Sequence, residues 1–225
     1  MRVREIPGPV GSLEALIDEP PLERGVNADG LVERGQADGL HAAVVIGHPH
    51  PQYGGTMHTK AVFQAAKAFS RMGCAVLRFN FRGVGASEGS FTGGEGERED
   101  FRAALDYMHA RYPDLPLWSA GFSFGAWIAL ETGAVDDRVT VLIGIAPPVT
   151  REGYDFSNTR QSTKAKFFIQ GEADDICPLQ DMWRFYSELP EPKELVIIDA
   201  ADHLFDGHTT EVGEAVEDLV RDFNG

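Results

Sequence analysis

Ser123 stands at the centre of Gly121-Phe122-Ser123-Phe124-Gly125, between an apolar run that reads as a strand, PLWSAGF, and a helical run, FGAWIALE. A G-x-S-x-G pentapeptide in that setting is a sharp strand-to-helix turn that strains its serine and exposes the hydroxyl. Glycines at 121 and 125 remove the Cβ atoms that would collide with the adjoining strand and helix. The chemistry on offer is acyl transfer, because a helix N-terminus presents unpaired N–H groups where negative charge develops. The N–H of Phe124 is one such donor. Without partners, the same turn would simply start a helix, with the serine as its N-cap.

A serine hydroxyl becomes nucleophilic when an imidazole accepts its proton, and the imidazole needs a carboxylate to fix its tautomer. One order in which such triads occur along a chain is Ser, then Asp or Glu, then His. The stretch Gly171 to Pro178, GEADDICP, puts two carboxylates in a short turn after the apolar run KFFIQG, and Asp174 is assigned as the orienter. His203 follows the last apolar run, ELVIIDA, and is assigned as the base. Other histidines fit less well: His41 precedes a strand, His58 and His109 sit in helical patterns, and His208 opens the last helix. Asp199 and Asp202 are weaker acid candidates, since closeness to His203 along the chain does not by itself give a side-chain hydrogen bond.

The loop after AAVVIG, His48-Pro49-His50-Pro51-Gln52-Tyr53-Gly54-Gly55-Thr56-Met57, is the position for a second oxyanion donor. Proline has no N–H, which removes Pro49 and Pro51. His50 is the best positional match, with Gln52 and Tyr53 behind it. His48 and His50 lack a nearby carboxylate or thiolate that would complete a metal site, so rigid loop packing is the preferred reading. Cys74 and Cys177 form neither a CxxC pair nor a disulfide framework. No metal and no cofactor is expected.

Those residues need a scaffold. From His41 onward, apolar runs at 42–47, 74–81, 116–122, 139–146, 166–171 and 194–200 alternate with helical patterns at 57–72, 96–111, 124–133, 179–189 and 209–223. Such alternation marks βαβ units around a buried parallel sheet, with helices on both faces and ligands at the carboxyl ends of the strands. Upstream, residues 2–6 and 12–17 read as an edge hairpin around the turn PGPVG, and 19–39 as an irregular excursion with a little strand at Gly30 to Glu33. One domain over residues 1–225 is the economical organisation.

Twenty basic against 35 acidic residues give a net charge of −15, which repels nucleic acid and anionic membrane surfaces. No N-terminal stretch has a signal-peptide core, and no segment approaches the ~20 apolar residues that span a bilayer. A cytoplasmic address is the default expectation.

With these residues in hand, the chain resembles the α/β-hydrolase superfamily, specifically small bacterial esterase-like members carrying HPHP-x-x-GG-T-M, FNFRGVG-x-S and G-F-S-F-G. Here these stretches are 48–57, 79–87 and 121–125, and GEADDICP and ADHLF extend the match over most of His41 to Gly225. The resemblance implies Ser123 as nucleophile, Asp174 as orienter and His203 as base. It implies a small-molecule ester or thioester substrate, with lactone or dienelactone hydrolysis and a non-catalytic binding module as alternatives.

Between Ala146 and Lys166 the chain is too short for a large helical lid. An open acyl pocket follows, with Tyr53, Phe124, Cys177, Leu204 and Phe205 as expected walls. Arg82 in FRGVG is read as a structural anchor, and Glu97 and Glu99 as dipole-matched residues of a first helical turn. Residues 19–39 exceed what compact members need and receive no role.

Overall fold

The computed structural model describes residues 4–20 and 39–221. Residues 2 and 3 of the expected first strand, positions 21–38 of the excursion with its strand near Gly30 to Glu33, and residues 222–223 of the last helix lie outside the described residues.

Eight strands form one sheet in the order β1-β2-β4-β3-β5-β6-β7-β8. Strands β3 (Ala42–Gly47), β4 (Cys74–Phe79), β5 (Leu117–Phe122) and β7 (Ala165–Gly171) are buried at every position. Continuous apolar runs of this kind are what a sheet covered on both faces requires. Strands β6 (Val139–Ile145) and β8 (Lys193–Ile198) complete a parallel set from β4 to β8. The hairpin of β1 (Glu5–Gly8) and β2 (Gly11–Asp18) adds to the edge, with β2 antiparallel to β4.

Successive residues of a strand face opposite sides, so each strand feeds two cores. Val44 and Ile46 join Phe69 of α1 (Lys60–Arg71) and Val216 of α6 (Thr209–Arg221) on one face. Ala43 and Val45 join Phe101 of α2 (Glu95–Arg111), Ile128 of α3 (Phe124–Ala134) and Phe185 of α5 (Leu179–Glu188) on the other. The implied architecture is therefore present: a mostly parallel sheet between two helical layers. Between β6 and β7 there is only α4 (Ser157–Gln161), and no helical lid.

Boundaries differ for local reasons. The first long helix begins at Lys60 and not at 57, because the Met57 N–H is held by Asn80 Oδ1 at 2.8 Å and Thr59 Oγ1 accepts from the Thr56 N–H at 3.2 Å. Strand β4 ends at Phe79 because the Phe81 N–H turns to His48 Nε2, 3.1 Å away. The hairpin reverses through Pro9 and Val10 alone, with Gly8 opposite Gly11.

The FRGVG stretch forms a buried anchor. Arg82 Nη2 donates to Asp100 Oδ1 on α2 at 2.7 Å, and the Arg82 N–H donates to Asp100 Oδ2 at 2.9 Å. Glu97 caps the same helix by accepting from the Gly94 N–H at 2.6 Å, while Glu99 lies one turn in and pairs with Arg82. These contacts tie the carboxyl end of β4 to α2, beside the loop that carries His50.

Candidate active site

Ser123 sits at the β5–α3 junction with φ 54° and ψ −119°, a conformation that side chains rarely adopt. Its N–H donates to Ile145 O at 2.9 Å, and its carbonyl accepts from Ala126 and Trp127, so both sides of the turn are pinned. The glycines make the crossing possible. A Cβ on Gly121 would lie 2.1 Å from Gly125 O, and one on Gly125 would lie 2.4 Å from Gly47 O.

Ser123 Oγ lies 2.9 Å from His203 Nε2, and His203 Nδ1 lies 2.8 Å from Asp174 Oδ2. Three side chains far apart in sequence thus form one continuous chain of hydrogen bonds. Asp174 is buried, and its other oxygen accepts from the N–H groups of Ile176 and Cys177 at 2.9 and 2.8 Å. Gln170 Nε2 donates to Asp174 Oδ2 from below at 2.8 Å. The loops after β7 and β8 are also locked to each other, since Ala173 N–H donates to Ala201 O at 2.9 Å. Gly171 permits this approach, because a Cβ there would sit 2.4 Å from Ala201 O.

The Phe124 N–H is the first of α3, and neither it nor the His50 N–H finds a hydrogen-bond acceptor among the described residues. Both residues line the same cavity as Ser123 and His203. Below His50, His48 is fully buried: its Nδ1–H donates to Pro49 O at 2.6 Å and its Nε2 accepts from the Phe81 N–H. Burial holds His48 neutral by pushing its pKa down to about 4. With both ring nitrogens engaged, His48 is a brace for the loop and offers no lone pair to a metal. Burial also lowers the pKa of His50, and the positive charge of Arg151 lowers it further.

The cavity measures about 540 Å³. Tyr53, Phe124 and Leu204 line it as expected, but Cys177 and Phe205 do not. Both are fully buried. The Cys177 N–H turns inward to reach Asp174, and Phe205, at φ 57°, packs its ring against Phe122 at a centroid distance of 5.9 Å. Asp202 lines the cavity without touching His203 Nδ1, whose partner is Asp174. Gln170, Arg151 and Tyr154 contribute as well, beyond the residues expected. Gln170 carried a legible signal, a polar residue inside the buried run KFFIQG. Arg151 and Tyr154, from the β6–β7 segment, carried none beyond following a strand's carboxyl end.

Comparison with known proteins agrees with this architecture. The Hydrolase_4 family model, described as serine aminopeptidase S33, matches residues 40–163, more than half of the chain. The chain belongs to this family of α/β-hydrolases. A Rickettsia prowazekii protein, RP471, is 38% identical over 180 residues, covering 77% of this chain and 76% of that one. XC6422 from Xanthomonas campestris, described as an α/β serine hydrolase without a lid, is 35% identical with a TM-score of 0.83, covering 98% of this chain and 93% of its own. An α/β serine hydrolase homologue from Coxiella burnetii is 36% identical with a TM-score of 0.82, over 95% and 94% of the two chains. In this α/β-hydrolase too, the mouth above Ser123 is left open by the short β6–β7 segment. Among the described residues no helix is long and apolar enough to cross a membrane.

Proposed function

We propose that this α/β-hydrolase cleaves carboxylic esters of small or short acyl groups through an acyl-enzyme. Ser123 is the nucleophile, His203 the general base, Asp174 the orienter, and the N–H groups of Phe124 and His50 are the oxyanion donors. The observation that carries this reading is the unbroken Ser123–His203–Asp174 hydrogen-bond chain at the base of an open, largely apolar cavity.

In the first half-reaction His203 Nε2 takes the Ser123 proton as Oγ bonds to the carbonyl carbon. Asp174, fixed by two backbone N–H groups and Gln170, keeps the proton on Nδ1 and stabilises the imidazolium. Negative charge moves to the carbonyl oxygen, where the two unpaired N–H groups would receive it without reorganising. His203 then protonates the leaving alcohol as its bond to the acyl carbon breaks. Water repeats the sequence and releases the acid.

The same groups would serve a thioester or a lactone, and the matched family description makes an aminoacyl amide a fourth arm of the assay. The test is a panel of 4-nitrophenyl esters, acyl thioesters, lactones and aminoacyl anilides, run on the wild type and Ser123→Ala. A fluorophosphonate label on the wild type accompanies it. Ester turnover with labelling is expected, together with a loss of about 10⁴-fold or more in Ser123→Ala at unchanged melting temperature. Full activity in Ser123→Ala would overturn the reading. Absence of both labelling and turnover would mark an idle scaffold.

A further inference from the structure

We propose that Arg151 is a specificity residue that receives an anionic group carried by the substrate, so that this enzyme prefers esters bearing a second, negatively charged group. The inference rests on the hydrolase reading above, and it names the substrate class of that same site.

Arg151 lines the cavity, yet its guanidinium makes no ion pair or hydrogen bond among the described residues. Several arginines elsewhere are paired with acids, as are Arg71, Arg78, Arg138 and Arg160. The backbone at Arg151 is nonetheless well held. Its N–H donates to Pro148 O at 3.0 Å, and its carbonyl accepts from the Tyr154 N–H at 3.1 Å. Tyr154 in turn stacks on Trp127 at 4.1 Å with the ring planes 1° apart, and the Trp127 Nε1–H donates to Asp155 O at 2.8 Å. A fixed base thus carries a free cation.

That cation acts toward the reaction centre. Its charge helps to depress the pKa of His50, whose ring packs on Phe124 at 5.1 Å, and opposes the rise that burial causes in Tyr154. Tyr154 lines the same cavity, and its hydroxyl too lacks a hydrogen-bond partner among the described residues. Asp175 and Asp202 also line the cavity, but they come from the loops after β7 and β8, and neither pairs with Arg151. A guanidinium with all its donors free beside apolar walls suits bidentate binding of a carboxylate or phosphate-like group. It would also offset, locally, the repulsion that a chain of net charge −15 exerts on an anionic substrate.

The experiment compares 4-nitrophenyl hemiglutarate, its methyl-capped neutral counterpart and a phosphonate-bearing ester of similar length, on the wild type, Arg151→Gln and Arg151→Lys. The wild type should favour an anionic ester by about ten-fold in kcat/KM, chiefly through KM, and lose that preference with added salt. In Arg151→Gln the anionic-to-neutral ratio should fall about ten-fold, with partial recovery in Arg151→Lys. Whichever anionic arm is favoured identifies the group as carboxylate or phosphonate-like. Equal kinetics for charged and neutral esters in the wild type, or an unaltered ratio in Arg151→Gln, would overturn the assignment. Absence of turnover of every ester would sink the hydrolase reading alone. Calorimetric binding of monomethyl glutarate to the wild type and Arg151→Gln then decides the role of Arg151 without catalysis, since equal binding by both would refute it.

Discussion

The loops after β7 and β8 and the segment after β6 open onto the same cavity, yet they treat their polar side chains in opposite ways. On the first side Asp174 is buried and held by two backbone N–H groups, Gln170 and His203. On the second side the Arg151 guanidinium and the Tyr154 hydroxyl find no protein partner among the described residues. The difference teaches where rigidity matters. In the proposed mechanism the groups that move a proton have their positions fixed before substrate arrives, whereas the groups proposed to select substrate keep donors in reserve for it.

The strongest way to break this contrast is to disturb one atom on the fixed side. In Asp174→Asn the remaining oxygen can still accept from Ile176 and Cys177, so the turn should survive. The amide nitrogen then replaces the oxygen that faces His203 Nδ1 and turns a donor toward the ring. The imidazole must carry its proton on Nε2, where it cannot receive one from Ser123. Ester turnover should fall about 10⁴-fold, with the melting temperature within a few degrees of the wild type. A loss smaller than ten-fold, measured by steady-state kinetics, would mean that the orienter is dispensable.

The fixed side was also the readable side. Ser123, Asp174 and His203 each follow the carboxyl end of a parallel strand, fully buried for the first two and only partly for the third, and such strand ends are legible from runs such as KFFIQG and ELVIIDA. The glycines of GFSFG betray the tight crossing because only a missing Cβ permits it. Cys177 and Phe205 turn into the core and not toward the expected walls, because a residue's facing in a turn depends on backbone torsion, which no periodicity encodes. Phe205, at φ 57°, turns into the core. Arg151 and Tyr154 were unreadable for a related reason: their placement depends on the Trp127 stack, a contact between α3 and a loop about 27 residues away in the chain.

A smaller effect tests whether the fixed side extends beneath His50. Buried His48 is neutral, with its pKa pushed to about 4, whereas in the unfolded chain it titrates near 6.5. Between those values the unfolded chain binds the additional proton, so stability is lost as pH falls from about 6.5 toward about 4. The shift corresponds to about 3 kcal/mol across that window. Urea unfolding of the wild type and His48→Gln at pH 7, 5.5 and 4.5 isolates this contribution, because the carboxylates titrate in both proteins. The wild-type advantage at pH 7 should shrink steadily as the solution is acidified. Parallel pH dependences would show that His48 is not the neutral brace described.

The smallest effect concerns a residue of the loop after β8 that faces the cavity, and it sharpens the contrast most. Leu204 follows His203 directly in the chain, but the residue is 58% exposed and lines the cavity. Removing it deletes partly solvated methylene groups and leaves the backbone that positions His203 intact. At about 25 cal/mol per Å² of apolar area, the lost contact with a bound acyl chain is worth about 1 kcal/mol or less. Leu204→Ala should therefore lower the preference for hexanoate over acetate esters by no more than about five-fold, mostly through KM. If kcat on the acetate ester fell a hundred-fold instead, the side chain would have to be holding His203 in place. The division between groups fixed for proton transfer and groups left for substrate would then fail beside His203.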